Sequence, residues 1–308
     1  MLAIVAPGQG AQKPGFLAPW LADHAEAVAS YGKASDLDLV HYGTEADEDA
    51  IRDTAVAQPL LVAAGLIATR ALLPTPADLD AVGVVAGHSV GELTAAAIVG
   101  ALTDLEAMTL VAERGRRMAE ASRTSPTSMS AVIGGQPEEV LAAIADAGLT
   151  AANNNGKGQI VAAGTQEQLA ALAENPPTRA RVIPLSVAGA FHTEHMAPAV
   201  PHLATLADTL QPADPRTQLL SNADGSQVTD GREVLRRIVN QVANPVRWDL
   251  CMQTMAELGI TGLLEVMPAG TLTGIAKRNL PGVELFALNT PDQVDQARDF
   301  VRQHGGTA

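Results

Sequence analysis

The sequence predicts an α/β protein in which a small domain interrupts a larger one. A valine-rich run over 82–86 leads into Gly-His-Ser-Val-Gly at 87–91, and an alanine-rich helical run follows at once. That order is strand, tight turn and helix. After a polar linker at 123–128 the periodicity changes, and roughly 60 residues follow the order βαββαβ, which is that of a small ferredoxin-like domain.

Composition and charge narrow the class of protein. Of 308 residues, 47 % are hydrophobic and only 3 % aromatic, so the core must be built from Ala, Val, Leu and Ile. A formal net charge of −14 argues against nucleic-acid binding and against an anionic membrane surface. Arg70 interrupts the most apolar segment, 60–73, and the amino terminus lacks the basic region of a signal peptide. We therefore expect a soluble cytoplasmic protein with no membrane or nucleic-acid partner.

Elements on the amino-terminal side of the linker follow from apolar runs and helix signals. The run over 2–6 suits a buried strand, and a glycine-rich loop at 7–12 ends it. That loop lacks the residues of a phosphate-binding loop and the third glycine of a dinucleotide fingerprint. Residues 17–53 are predicted to be helical or irregular, with a solvated acidic face. A long buried helix is predicted over 58–73, since Pro59 suits the first position of a helix.

The turn at 87–91 fits the nucleophile-elbow pattern G-x-S-x-G. A serine on so sharp a turn has a strained backbone, and glycines two residues to either side remove Cβ atoms that would clash. The predicted helix over 90–101 then presents unpaired N–H groups at its amino end, where they can face a developing oxyanion. The alternative interpretation is an ordinary strand-to-helix turn that contains a serine.

A capping box at 103–106 begins the next predicted helix, which carries Arg114, Arg116 and Arg117. Arginines late in a helix usually interact with its dipole or with solvent. The functional alternative is that one of them turns into a cleft and binds a substrate carboxylate in bidentate fashion.

The remaining elements divide between the inserted segment and the return of the chain to the main body. Within the insert we predict strands at 129–133, 149–152, 159–163 and 181–187 and helices at 137–147 and 165–174. After it we predict helices at 198–210, 231–243 and 271–279, a further helix ending at 258–259, and strands at 219–221, 262–266 and 283–288.

A serine hydroxyl is a weak nucleophile that needs a base, usually histidine. His192 is the first candidate, since small apolar residues precede it and allow a close approach, and His195 is the second. His88 lies inside the elbow and by position points away from the serine face. No Asp or Glu between Ser89 and His192 ends a predicted strand, so a backbone carbonyl is the alternative to the triad acid of α/β-hydrolases. No His, Cys, Asp or Glu cluster has metal spacing, so we expect no metal.

Six motifs, in order and at matching spacing, resemble those of malonyl-CoA:acyl-carrier-protein transacylases over nearly the whole chain. They are Gly-Gln-Gly-Ala-Gln at 8–12, Gln-Pro at 58–59, Gly-His-Ser-Val-Gly-Glu at 87–92, Arg-Gly at 114–115, Gly-Ala-Phe-His-Thr at 189–193 and Gln-Val-Ala-Asn-Pro-Val-Arg-Trp at 241–248. The resemblance implies an α/β-hydrolase-like large domain, residues 1–123 and 188–308, interrupted by a ferredoxin-like small domain, residues 124–187.

The resemblance also assigns catalytic roles to six residues. They are Ser89 as the acylated nucleophile, His192 as its base and later acid, Arg114 as the clamp on the malonyl carboxylate, the backbone N–H groups of Gln9 and Val90 as the oxyanion hole, and the backbone carbonyl of Gln241 as the group that orients His192. We further expect Phe191 and Met118 to line the acyl pocket. In related acyltransferases an Ala-Phe-His pattern accompanies a preference for malonyl over methylmalonyl groups.

The implied reaction moves a malonyl group from malonyl-CoA to the phosphopantetheine thiol of acyl carrier protein in two steps. No cofactor is bound permanently, because the coenzyme A thioester is a substrate. Since the carrier in this kind of pathway is acidic, an enzyme with a net charge of −14 must dock it through local cations. For these we select Lys277 and Arg278, with Lys157 and Arg181 across the cleft. We expect a monomer that serves fatty-acid or polyketide synthesis.

Three rival functions remain open at this point. A serine hydrolase would use the same elbow and base with water as acceptor. A non-catalytic module that binds carrier protein would not need Ser89, His192 and Arg114 together. A relative that handles methylmalonyl or another branched unit would differ only in its acyl pocket.

Overall fold

The computed structural model describes residues 1–306, which form a mixed α/β fold with two β-sheets. The strands are β1 (Leu2–Ala6), β2 (Val84–Gly87), β3 (Thr127–Gly134), β4 (Thr150–Asn154), β5 (Gln159–Thr165), β6 (Ala180–Pro184), β7 (Gln218–Leu220), β8 (Gln227–Val228), β9 (Val246–Arg247), β10 (Gly262–Glu265) and β11 (Glu284–Ala287). The helices are α1 (Leu21–Ser35), α2 (Leu39–Thr44), α3 (Glu48–Arg52), α4 (Thr54–Leu72), α5 (Gly91–Ile98), α6 (Asp104–Ser122), α7 (Pro137–Asp146), α8 (Gln166–Glu174), α9 (Val200–Ala207), α10 (Gly231–Gln241), α11 (Trp248–Glu257), α12 (Thr271–Asn279) and α13 (Val294–His304).

The larger sheet has the strand order β11-β10-β1-β2-β7-β8, and its neighbours are parallel except for the antiparallel pair β7–β8. Alternate side chains of β1 enter different hydrophobic clusters. Leu2 and Ile4 belong to one cluster, and Ala3 and Val5 belong to the other. Both faces of the sheet are therefore covered, which is why β1 and β2 are continuous apolar runs in the sequence.

The smaller sheet has the strand order β6-β3-β5-β4-β9. The elements β3, α7, β4, β5, α8 and β6 follow the predicted βαββαβ order, and neighbouring strands among these four are antiparallel. Val132, Ile144 and Ile160 belong to a separate core between this sheet and its two helices. β9 comes from the chain after the insert and pairs in parallel with β4, so it ties the smaller sheet to the rest of the protein.

Helix α4 begins one turn before its predicted start. It starts at Thr54, where the Asp53 carboxylate accepts a hydrogen bond from Ala55 N at 2.8 Å, and Pro59 lies inside the helix. The expectation that Pro59 occupies the first position is therefore wrong. The cap is made by Asp53, and a proline inside the helix removes one backbone hydrogen bond without ending it. Strands β8 and β9 and helix α13 are absent from the sequence prediction, and both strands are only two residues long.

Within residues 1–306, α4 is the one helix long and apolar enough to span a membrane by length and composition, with a mean hydropathy of 1.6. Its most apolar window is 83 % buried inside the protein. The helix packs against α6, α5 and α1. It is therefore a core helix of this fold.

Candidate active site

The nucleophile elbow forms where β2 ends in the middle of the larger sheet. Ser89 has φ +55°, in the left-handed region that non-glycine residues rarely adopt. A Cβ atom at Gly87 would lie 1.9 Å from the Gly91 carbonyl, and one at Gly91 would lie 2.3 Å from Ala6 O. Glycine is thus required on both sides of the serine for the steric reason the pattern suggested.

His192 is the histidine that contacts the serine. Its Nε2 lies 2.8 Å from Ser89 Oγ, and its Nδ1 lies 2.9 Å from the carbonyl oxygen of Gln241. A carbonyl only accepts, so Nδ1 carries the proton and Nε2 is free to accept from the serine hydroxyl. His195 lies further along, in a short 3₁₀ helix at Glu194–Ala199. Asp104, an acid between serine and histidine in the chain, instead pairs with Arg70, and the acceptor beside His192 Nδ1 is the Gln241 carbonyl.

Burial is the main cause that lowers the pKa of His192, to about 3, and the positive charge of Arg114 lowers it further. The hydrogen bond to the Gln241 carbonyl acts in the opposite direction. The imidazole is therefore neutral at pH 7. A neutral imidazole beside a serine hydroxyl can accept its proton, as general-base catalysis requires.

Arg114 is the one arginine of its helix that faces this site. It is 2 % exposed, its Nη1 donates to Gln58 Oε1 at 2.7 Å, and its Nη2 lies 3.4 Å from Ser89 Oγ. Arg116 and Arg117 instead pair with Glu113 at the surface. One of the three arginines is thus turned inward, and its binding of a substrate carboxylate stays a prediction.

The buried guanidinium of Arg114 forms no direct ion pair within residues 1–306, although the buried Glu92 carboxyl acts on it at longer range and favours its charged form. No carboxylate of the described chain lies within 4.0 Å of it. Burial lowers its pKa to about 10, which leaves it a cation at pH 7. A buried cation without a partner is costly, so this position favours a ligand that brings its own carboxylate. Gly115 permits the close helix contact involved, because a Cβ there would lie 2.8 Å from Thr54 O.

Gln58 is a site residue to which sequence reasoning gave no role. Its Oε1 accepts from Arg114, and its Nε2 lies 3.4 Å from Met118 Sδ. Gln58, on α4, therefore contacts two successive turns of α6 and holds the guanidinium in place. The Gln-Pro motif at 58–59 is the sequence signal that marks it. Met118 and Phe191 are both buried, and Phe191 directly precedes the histidine.

Two backbone amides near the serine have no acceptor within residues 1–306. They belong to Gln9 and Val90. The amide of Ser89 itself is occupied, because it donates to Asn222 Oδ1 at 2.7 Å. The glycine-rich loop reaches the elbow closely, since a Cβ at Gly8 would lie 2.9 Å from the carbonyl oxygen of His88.

His88 and the loop after β4 connect the elbow to a basic surface. His88 Nε2 lies 2.9 Å from Asn155 Oδ1, so this ring is engaged away from the serine hydroxyl. Asn279, at the end of α12, donates to Asn155 O at 3.4 Å and accepts from Lys157 N at 2.8 Å. Lys157 therefore lies beside the helix end that carries Lys277 and Arg278.

The four cations selected from the sequence have no ion-pair partner in the part of the chain that the structure describes. Arg181 on β6 pairs with Ile133 on β3, and Ile133 pairs on its other side with Gln159 on β5. Gln159 directly follows the loop that holds Lys157. Two strand spacings, about 10 Å, thus separate Arg181 from that loop. Over the same residues, no group of three or more His, Cys, Asp or Glu side chains is placed to hold a metal ion.

Comparison with known proteins places the chain in a family. The acyl transferase domain family matches residues 4–302. The malonyl CoA-acyl carrier protein transacylase of Mycobacterium tuberculosis is 49 % identical over 298 residues, which is 96 % of this chain and 99 % of that protein. The Escherichia coli protein of the same name is 30 % identical over 97 % of this chain and 99 % of its own length.

Solved structures agree with the sequence comparison. The crystal structure of the Mycobacterium tuberculosis transacylase covers 97 % of this chain and 99 % of its own, with a TM-score of 0.93. A malonyl-transacylase solved in complex with a type II polyketide-synthase acyl-carrier protein is 28 % identical and has a TM-score of 0.89 over 97 % of this chain and 99 % of its own. The chain belongs to the acyl transferase domain family and, within it, to the malonyl CoA-acyl carrier protein transacylases.

Proposed function

We propose that this protein transfers the malonyl group of malonyl-CoA to the phosphopantetheine thiol of acyl carrier protein through a malonyl-serine on Ser89. One observation carries the proposal. The Ser89 hydroxyl lies 2.8 Å from the His192 imidazole and 3.4 Å from the Arg114 guanidinium, so a nucleophile, a neutral base and an unpaired cation meet in one site. The names of the relatives supply the donor and the acceptor.

In the loading step, His192 Nε2 takes the proton of the Ser89 hydroxyl while Oγ attacks the thioester carbonyl carbon. The oxyanion of the tetrahedral intermediate is stabilised by the free amides of Gln9 and Val90. Collapse breaks the carbon–sulfur bond, and the His192 imidazolium returns its proton to the leaving thiolate. The Gln241 carbonyl supports the imidazolium through Nδ1. The carrier thiol then enters, and the same steps run in reverse to release the acyl group.

Arg114 selects the acyl group in this mechanism. The malonyl carboxylate forms an ion pair with its guanidinium, and Gln58 holds that guanidinium in place. An acetyl group leaves the buried cation unpaired, so discrimination exceeds the loss of one contact. Phe191 and Met118 line the acyl pocket, and Phe191 limits substituents beside the reacting carbon. This arrangement favours malonyl over methylmalonyl units.

The proposed domain organisation follows the two sheets. Residues 1–123 and 188–308 form an α/β-hydrolase-like catalytic domain, with 307–308 outside the described residues, and residues 124–187 form a ferredoxin-like domain. The antiparallel strand order β6-β3-β5-β4 supports the second assignment, and the parallel sheet with its elbow supports the first. We further propose that the enzyme acts as a cytoplasmic monomer and holds no permanent cofactor.

Carrier docking is proposed at Lys277 and Arg278, with Lys157 and Arg181 nearby. The absence of an ion-pair partner for these cations within residues 1–306 supports an acidic partner. Charge reversal of Lys277 and Arg278 to Glu should raise the KM for carrier protein about tenfold and leave malonyl-CoA loading unchanged. Lys33→Glu, on the exposed face of α1, is the matched control. Unchanged carrier kinetics in the double variant would remove this surface from the proposal.

Intact mass spectrometry after mixing with malonyl-CoA tests the core of the proposal. A malonyl adduct should form, vanish in Ser89→Ala, and move to added carrier protein. An adduct that survives Ser89→Ala would overturn it. The hydrolase alternative predicts instead that the adduct decays to malonate at the same rate with and without carrier protein.

A further inference from the structure

Asn222 is a fully buried polar residue that sequence reasoning did not select. It follows β7, whose parallel neighbour β2 ends in the elbow. Its side-chain Oδ1 accepts from Ser89 N at 2.7 Å, and its Nδ2 donates to Gly87 O at 2.7 Å. One planar amide thus spans the backbone on both sides of His88. Both contacts are shorter than the usual N–H···O distance of about 2.9 Å.

The backbone of Asn222 is fixed as firmly as its side chain. Its N–H donates to Glu92 Oε1 at 2.8 Å, and its carbonyl accepts from Arg247 N at 2.8 Å. Glu92 lies in the first turn of α5, three residues after the nucleophile. The backbone that carries the side-chain amide is therefore held from the helix that follows the elbow and from β9.

These contacts bear on the two features that the proposed chemistry requires of the elbow. The first is the left-handed conformation of Ser89, which persists only where its surroundings enforce it. The second is the supply of free amides. With the Ser89 amide engaged by Asn222, the amide of Val90 is the one beside the nucleophile that remains available to an oxyanion.

We propose that Asn222 is a positioning residue that holds Ser89 in its reactive conformation and, by engaging the Ser89 amide, reserves the Val90 amide for the oxyanion. The inference rests on the proposed function for its reaction, but the geometry concerns any acylation of Ser89. Only an amide supplies both contacts. Aspartate keeps the acceptor for Ser89 N but turns a second acceptor toward Gly87 O, and leucine supplies neither.

The test compares Asn222→Asp, which is close to Asn in volume, and Asn222→Leu, which keeps the branching at Cγ but is larger, with the exposed control Asn175→Asp. Single-turnover malonyl loading should slow about 10- to 100-fold in Asn222→Leu and by less in Asn222→Asp, with KM for malonyl-CoA within about threefold of wild type. The ratio of malonyl to acetyl loading should stay unchanged, because Arg114 is untouched. A purely structural role would lower the active fraction instead and leave the rate constant of the remaining active sites unaltered.

Labelling by phenylmethylsulfonyl fluoride, a neutral serine reagent, separates this inference from the proposed function. Ser89 labelling should slow in the same order as malonyl loading. If the wild type is labelled but never transfers malonyl, the proposed function fails. The labelling rates of the Asn222 variants then still test the role of Asn222. If Asn222→Leu does not fold, the loading and labelling rates of Asn222→Asp alone test the inference. Loading and labelling rate constants within threefold of wild type in the folded variants would overturn the inference.

Discussion

The pH dependence of Ser89 acylation tests the electrostatics of the site most directly. Burial and the charge of Arg114 lower the pKa of His192 to about 3, from an ordinary value of about 6.5. Because its pKa is lowered, the imidazole stays neutral, and so able to accept a proton, in mildly acidic solution. At pH 5 about 99 % of such a site is neutral, whereas a solvated histidine would be only about 3 % neutral. The acylation rate should therefore be flat between pH 7 and pH 5, rather than fall about 25-fold.

The measurement needs a reagent that does not itself titrate. Malonyl-CoA carries ionisable phosphates, so the rate constant for Ser89 labelling by phenylmethylsulfonyl fluoride is the primary readout. Quenched-flow mass spectrometry of the malonyl adduct gives the second. We expect less than a twofold change in the labelling rate constant over this range. An acidic limb with a midpoint near pH 6.5 for the neutral reagent would show that His192 titrates as a solvated group, and the reasoning from burial would be refuted.

Arg114→Met adds an internal check on the cause of the shift. The substitution removes the nearby positive charge and leaves the histidine buried. The pKa of His192 should then rise but stay below 6.5, and an acidic limb should move toward neutral pH. An unchanged profile would assign the whole effect to burial.

Three further outcomes are expected. Arg114→Met should slow malonyl loading about 100-fold, from the loss of about 3 kcal/mol of charge-assisted hydrogen bonding, and leave acetyl loading equal or faster, as measured by single-turnover mass spectrometry. Gln58→Leu should raise the KM for malonyl-CoA about tenfold, because it removes the hydrogen bond that holds the Arg114 guanidinium. It should not slow sulfonyl fluoride labelling, because the contact between Ser89 and His192 is left intact. Glu265→Ala should lower the free energy of unfolding by about 3 kcal/mol in denaturant titration, since this fully buried carboxylate accepts hydrogen bonds from three backbone N–H groups at the start of α12.

Each of these expectations has a contrary result. Equal losses of malonyl and acetyl loading in Arg114→Met would mean that the arginine supports the fold rather than the acyl carboxylate. Slower sulfonyl fluoride labelling in Gln58→Leu would mean that Gln58 also helps to position Ser89 or His192. For Glu265→Ala, a loss no larger than that of the exposed control Glu257→Ala would show that α12 is capped adequately by solvent.

The elbow could be predicted from the sequence because its requirements are local. The strand, the serine and both glycines lie within eleven residues, 82–92, and the clash that each glycine avoids involves its own turn or the adjacent β1 end. The βαββαβ order of the elements from β3 to β6 was also accessible, since helical and strand periodicities alternate there. Local signals fail for α4, where a proline inside the helix resembles a proline at its start.

The groups that complete the site could not be predicted from the residues alone, because their partners are distant in the chain. Gln58 contacts Arg114 across 56 positions, and Asn222 contacts Ser89 across 133. Apart from the Gln-Pro motif at 58–59, which has meaning only through the resemblance to a family, Gln58 looks like any polar residue in an apolar helix. Asn222, an asparagine after a short strand, has no pattern that distinguishes it. The Gln241 carbonyl is invisible for a further reason, since a backbone oxygen can belong to any residue type. Only the resemblance to a family pointed to it.

Ser89 and His192 share a feature that joins these observations. Both have left-handed backbones, with φ +55° and +62°, and such a conformation costs roughly 1–3 kcal/mol for a residue with a side chain. Each is held by residues after the insert: Asn222 binds the Ser89 amide, and the His192 amide donates to Val242 O at 3.1 Å while its ring binds the Gln241 carbonyl. Under the proposed mechanism, contacts outside the elbow motif therefore distinguish a nucleophile from an ordinary turn that contains a serine. In a chain that kept Gly-x-Ser-x-Gly but lacked those contacts, we expect the serine to leave the left-handed conformation and to lose its contact with the base.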